Sequence, residues 1–134
     1  MFSERITPNW IETLKPHEVF VFGSNLDGMH GGGAAKLAMK WGAVWGKGVG
    51  LQGQTYAIPT MQGGVETIVP YVRDFFDFAK AHPELVFFVT AIGCGIAGFQ
   101  VEEIAPLFRI ARDESRENIF LPQRFITILQ QSEA

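Results

Sequence analysis

Two places in the chain set reactive side chains among glycines. His30 directly precedes Gly31, Gly32 and Gly33, and Asp27 lies three residues before it. An imidazole titrates near neutral pH, so His30 could act as a general base at such a loop, with Asp27 orienting it or serving instead. Equally, Asp27-Gly28 reads as a turn, and His30 could cap the helix that follows. Cys94 sits between Gly93 and Gly95, where backbone amides could activate a thiolate nucleophile. It could also be a small residue filling tight space. One cysteine and three scattered histidines give no zinc spacing, and nothing in the pattern calls for a cofactor.

The elements around these residues matter more than the residues themselves. Residues 19–22 are four consecutive apolar residues, a strand that suits burial on both faces. Gly23, Ser24 and Asn25 break it, and the three glycines after His30 run into the helix formers Ala34, Ala35, Lys36, Leu37 and Ala38. Strand, glycine loop and helix start together present unpartnered amides to an anion. Glycine also lets the backbone approach a ligand with no Cβ in the way. The spacing therefore predicts a phosphate-containing small molecule at the start of this helix.

A second unit of the same kind follows. Residues 85–91, LVFFVTA, form the strongest strand signal in the chain and suit a central parallel strand. They lead into Gly93, Cys94, Gly95, Ile96, Ala97, Gly98 and Phe99, and then into a helix with Val101, Ile104, Ala105 and Phe108 on one face. Between the two units, residues 55–58 read as a strand stopped by Pro59. A helix then carries Ile68, Val69, Val72, Phe75, Phe76 and Ala79 on one face, with Thr67 as its N-cap. Trp10, Ile11 and Leu14 suggest a helix near the start, with Trp10 as a core or edge anchor. Residues 42–54 hold five glycines and read as an irregular loop, on which Trp45 either pins the loop to the core or stacks on a nucleobase or ribose. Residues 118–121 are a last short strand, and Phe125, Ile126 and Leu129 dock the tail on the body.

This alternation predicts an α/β fold with a mostly parallel sheet. Both glycine loops then lie beyond the carboxyl ends of strands, where such folds bind ligands, and could hold a diphosphate from two sides. At 134 residues the chain reads as one domain over 1–134. Hydrophobic content of 47% excludes a disordered chain, and a net charge of −3 argues against bulk nucleic-acid binding through a basic surface. No apolar run approaches the ~20 residues of a membrane span, and residues 1–10 lack the apolar core of a signal peptide. The expectation is a soluble cytoplasmic protein with no membrane partner.

Ser24-Asn25 followed by His30-Gly31-Gly32-Gly33-Ala34, and Ile92-Gly93-Cys94-Gly95-Ile96-Ala97-Gly98-Phe99 followed by Glu102-Glu103, resemble the two loop motifs of the macrodomain superfamily, whose members bind or hydrolyse ADP-ribose. The Ile92-Gly93-Cys94-Gly95 run is most similar to the subgroup that removes ADP-ribose from acidic side chains or DNA bases. The resemblance implies a three-layer α/β/α sandwich with a mostly parallel mixed sheet. It implies ADP-ribose or a related nucleotide as ligand, free or attached to a protein or nucleic acid. By it, Gly23, Ser24 and Asn25 belong to the site, with Asn25 on the distal ribose and Phe99 stacking nearby. The amides of residues 31–34 and 95–99 would hold the two phosphates. The departures concern catalysis: where members carry catalytic Asp or Lys residues, this chain has Ala35, Ala97 and Met61. A hydrolase with Asp27 or His30 as base, and a thiol enzyme using Cys94, stand as alternatives to simple binding.

Overall fold

A computed structural model describes residues 2–114 and 116–131, so the one-domain reading of 1–134 extends beyond the described residues at 1, 115 and 132–134. Five strands form one mixed sheet in the order β2-β3-β1-β4-β5. They are β1 (Glu18–Ser24), β2 (Gly50–Gln52), β3 (Thr55–Pro59), β4 (Val86–Val89) and β5 (Ile119–Phe120). β1 runs parallel to β3 on one side and to β4 on the other, β4 is parallel to β5, and only β2 is antiparallel. The α/β class and the mostly parallel sheet follow the sequence reading.

The apolar runs alternate between two faces, as a strand of period two requires. Val19 and Val21 of β1 join Tyr56, Ile58, Phe87 and Val89 in a large core. On that face lie α2 (Val69–Ala81), through Val72, Phe75, Phe76 and Ala79, and α5 (Gln123–Gln131), through Phe125, Ile126 and Leu129. Edge-to-face ring pairs such as Phe75–Phe87 at 5.4 Å knit this layer together. The alternate residues Phe20 and Phe22 face the other way, with Ala35 and Ala38 of α1 (Gly33–Ala38) and Ala57. Three short segments, α3 (Val101–Ile104), a 3-10 turn (Ala105–Phe108) and α4 (Arg109–Asp113), connect β4 to β5.

Four local expectations change. Residues 10–14 are not helical: Ile11 and Leu14 pack against the Phe20–Phe22 face from an irregular strand of chain, while Trp10 is 80% exposed and anchors nothing. The 42–54 loop contains β2, because β3 offers a free edge for Gly50, Leu51 and Gln52 to pair with Ala57, Tyr56 and Thr55. Thr67 is not an N-cap: it ends a 3-10 turn (Val65–Thr67), its hydroxyl donates to the Gly64 carbonyl at 2.6 Å, and Ile68 occupies the N-cap position. The strand expected over 85–91 is shorter, Val86–Val89, and the tail docks as the helix α5.

This topology places the glycine loops. The chain leaves β1 toward β3 on one side and leaves β4 toward β5 on the other. Adjacent strands whose exits diverge open a crevice between their carboxyl ends, the switch point where ligands lodge in open α/β sheets. The loops after β1 and β4 are the two glycine loops.

Candidate functional site: a cleft between two glycine loops

A cleft of about 200 Å³ lies at that crevice. The end of β1 contributes Gly23 and Ser24, the loop after it Asn25, Met29 and Gly32, and the start of α1 adds Gly33, Ala34 and Ala35. The loop after β4 contributes Gly93, Gly95, Ile96 and Ala97 on the facing wall, and the end of β3 adds Thr60 and Met61. Three adjacent parallel strands thus converge on one site. The floor is tight: a Cβ on Gly23 would stand 3.3 Å from the Gly93 amide nitrogen. At the mouth the two loops nearly meet, the Ile96 side chain standing 3.4 Å from where a Gly32 Cβ would be.

The hydrogen-bond inventory shows which amides remain for a ligand. The first backbone bond of α1 runs from the Lys36 amide to the Gly32 carbonyl, at 3.2 Å, so the amides of Gly33, Ala34 and Ala35 precede it and lack helical partners. In the second loop, Gly98 donates to the Gly95 carbonyl at 3.0 Å and Phe99 to the Gly93 carbonyl at 2.8 Å. Those two amides hold the loop itself. Gly95, Ile96 and Ala97 make no backbone hydrogen bond from their amides among the described residues, and all three line the cleft. Of the five amides of residues 95–99, those of Gly95, Ile96 and Ala97 therefore have no backbone partner among the described residues, and those of Gly98 and Phe99 do.

Other expected residues have structural work. Both polar atoms of the Asn25 side chain are engaged with Met29: Oδ1 accepts from its amide at 2.9 Å, and Nδ2 donates to its carbonyl at 3.1 Å. Phe99 packs against the large core and does not line the cleft. Gly31 and Gly98 are exposed at its margin.

The reactive candidates stand apart from the cleft wall. Asp27 is exposed on the turn, and no hydrogen bond joins it to His30 among the described residues. His30 is buried, edge-on to Phe22, with Nε2 3.0 Å from the Lys47 carbonyl. A carbonyl only accepts, so Nε2 carries the proton, and the buried Nδ1 has no protein partner. His30 therefore caps no helix and does not reach the cleft. Cys94 is half-buried and packs against the core, and burial pushes its thiol up, away from the thiolate that a nucleophile needs. No Asp, Glu, His, Lys or Arg lines the cleft, and no metal-binding cluster exists among the described residues. The hydroxyls that line it already donate to backbone carbonyls, Ser24 to Gly48, Thr60 to Ser24 at 3.4 Å and Thr90 to Val21 at 2.7 Å, so the free donors of the wall are backbone amides.

Sequence reading missed a clamp beside the cleft. Residues 44–48 lie backbone to backbone against residues 25–28. A Cβ on Gly28 would stand 2.2 Å from the Lys47 amide nitrogen, and one on Gly48 would stand 2.0 Å from the Asn25 carbonyl oxygen. Buried Gln52 accepts from the Val44 amide and donates to the Lys47 carbonyl, each at 2.7 Å. The buried Ser24 hydroxyl donates to the Gly48 carbonyl, and the Gly46 amide donates to the Gly28 carbonyl at 2.8 Å. The only sequence signal for this clamp was the glycine density of the two segments.

No helix among the described residues is long and apolar enough to cross a membrane. No protein-family model, no curated protein and no solved structure matches this chain.

Proposed function

We propose that the cleft binds ADP-ribose or a related nucleoside diphosphate, in a three-layer α/β/α sandwich of macrodomain type. One observation carries the reading: the two glycine loops, 60 residues of chain apart, line opposite walls of one cleft at the sheet's switch point. The amides of Gly33, Ala34 and Ala35 on one wall and of Gly95, Ile96 and Ala97 on the other form donor sets for two adjacent phosphates. The surrounding Met29, Met61, Ile92 and Ile96 supply apolar surface for the sugars and exclude water from those hydrogen bonds.

Binding rather than hydrolysis is the reading favoured. A general base must come within hydrogen-bond reach of the proton that it takes. Asp27 is exposed outside the wall, His30 is buried behind it, and the Cys94 thiol is disfavoured as an anion. Calorimetric titration with ADP-ribose tests the proposal. Saturable one-to-one binding supports it, and absence of heat up to about millimolar ligand, the weak end of specific binding, overturns it. Incubation with ADP-ribosylated protein and DNA should leave both substrates intact.

A further inference from the structure

We propose that Trp45 is a specificity-determining residue, whose indole stacks on a flat aromatic ring carried by the nucleotide where it leaves the cleft past Gly31. The proposal rests on nucleotide binding as read above and names the ligand class more closely: a dinucleotide whose second base lies beyond the diphosphate. Two observations carry it. The first is position. The Cη2 atom of the indole stands 4.0 Å from where a Gly31 Cβ would be, so the ring borders the glycine loop one residue outside the cleft wall. Glycine at 31 leaves that approach unobstructed.

The second is the clamp. Three buried polar side chains, Ser24, His30 and Gln52, together with the Gly46 amide, fix residues 44–48 against the loop after β1. Buried polar networks of this kind order the segment that they hold. Yet the segment buries little of its own: Val44, Trp45, Gly46 and Lys47 are all exposed, and Trp45 is 56% exposed. A loop fixed this firmly, with its largest side chain turned outward, presents that side chain for contact. An indole beside a diphosphate cleft offers a π-face to any base, and its quadrupole favours an electron-poor or cationic ring such as a pyridinium.

The test compares NAD, which carries a pyridinium on the distal ribose, with ADP-ribose, which carries none. Both are titrated calorimetrically into the wild-type chain, Trp45→Ala and Trp45→Phe. The proposal predicts that Trp45→Ala lowers the ratio of NAD to ADP-ribose affinity by about tenfold, the usual scale of one lost stacking contact, and that Trp45→Phe restores most of it. An unchanged ratio, with ADP-ribose still bound, overturns the role of Trp45 and leaves the reading of the cleft intact. An unchanged ratio together with loss of a self-associated species in analytical ultracentrifugation also overturns it, and makes Trp45 part of a contact between copies. Failure of both ligands to bind the wild-type chain overturns the cleft reading and this one with it.

Discussion

The clamp and the cleft share the loop after β1, and both are built from glycine, but the glycines do different work. At the clamp, a Cβ on Gly28 or Gly48 would collide with backbone atoms only 2.2 Å or 2.0 Å away. At the cleft, Gly23, Gly33 and Gly93 are held by close contact or a positive φ, but a Cβ on Gly95 meets nothing within 4 Å, and one on Gly32 meets only the flexible tip of Ile96 at 3.4 Å. The Gly32 backbone, at φ −154° and ψ 166°, is extended and open to other residues. Folding therefore requires glycine at 28 and 48 and does not require it at 32 or 95. Glycine where the fold leaves room is what a ligand-approach surface needs. The contrast separates stability from binding, and mutations can test it from both sides.

The largest effect belongs to the clamp. Gly48→Ala forces the Asn25 and Gly48 backbones apart and should cost about 3 kcal/mol, the upper range of overpacking, read as a lower denaturation midpoint at unchanged slope. Gln52→Leu comes next. It leaves the part-buried Val44 amide without its acceptor and removes one of the Lys47 carbonyl's donors, at a cost of about 1 kcal/mol in the same assay. Gly32→Thr belongs to the other class. Threonine is about as good an N-cap as glycine, so stability should stay within about 0.5 kcal/mol of wild type. Its side chain fills the gap toward Ile96, so ADP-ribose affinity should fall by at least about tenfold, roughly 1.4 kcal/mol. The smallest effect belongs to Cys94. Because burial raises its thiol, alkylation by iodoacetamide should show a midpoint above the ordinary value of about 8.5, and Cys94→Ser should change ADP-ribose affinity by less than about twofold, within ordinary surface-scale effects. If Gly32→Thr unfolded the chain while Gly48→Ala did not, the contrast between the two sets of glycines would be reversed.

How much of this was legible in the sequence divides along the same line. The central strands were readable because β1, β3 and β4 are buried on both faces and therefore appear as continuous apolar runs. Gly32, Gly33, Gly93 and Gly95 were readable as loop residues because each run stops in glycine, and the parallel order placed both loops at one edge. Features set by distant partners were not readable. β2 exists because β3 has an unpaired edge, and three residues with glycine at their head give no local strand signal. Trp10, Ile11 and Leu14 match helical spacing, but Ile11 and Leu14 are drawn onto the Phe20–Phe22 face and the chain stays irregular. His30 looked like a base because sequence shows the neighbouring glycines and not the Lys47 carbonyl, 17 residues away, to which it is bonded. Gln52, which ties down the clamp, carried no signal at all. Asn25 was named for a ligand and does line the cleft, with its side-chain amide closing its own loop, whereas Phe99 fills the core and stays out of the cleft wall.

With no charged side chain in the cleft wall, a ligand bound there would be held by backbone amides. Backbone amides cannot be removed by side-chain substitution, so alanine scanning of the wall should find few strong effects, whereas additions of volume should find several. That pattern is opposite to the one expected of a site built on an acid, a base or a lysine, where truncation of one side chain abolishes function.

The proposed nucleoside diphosphate site needs both glycine loops together. Calorimetric titration of ADP-ribose into the wild-type chain, with Gly32→Thr alongside at equal thermal stability, tests it most directly. The wild type should bind saturably and one to one, and the variant should lose at least about tenfold in affinity. No binding to the wild type, or equal binding to both, would contradict it.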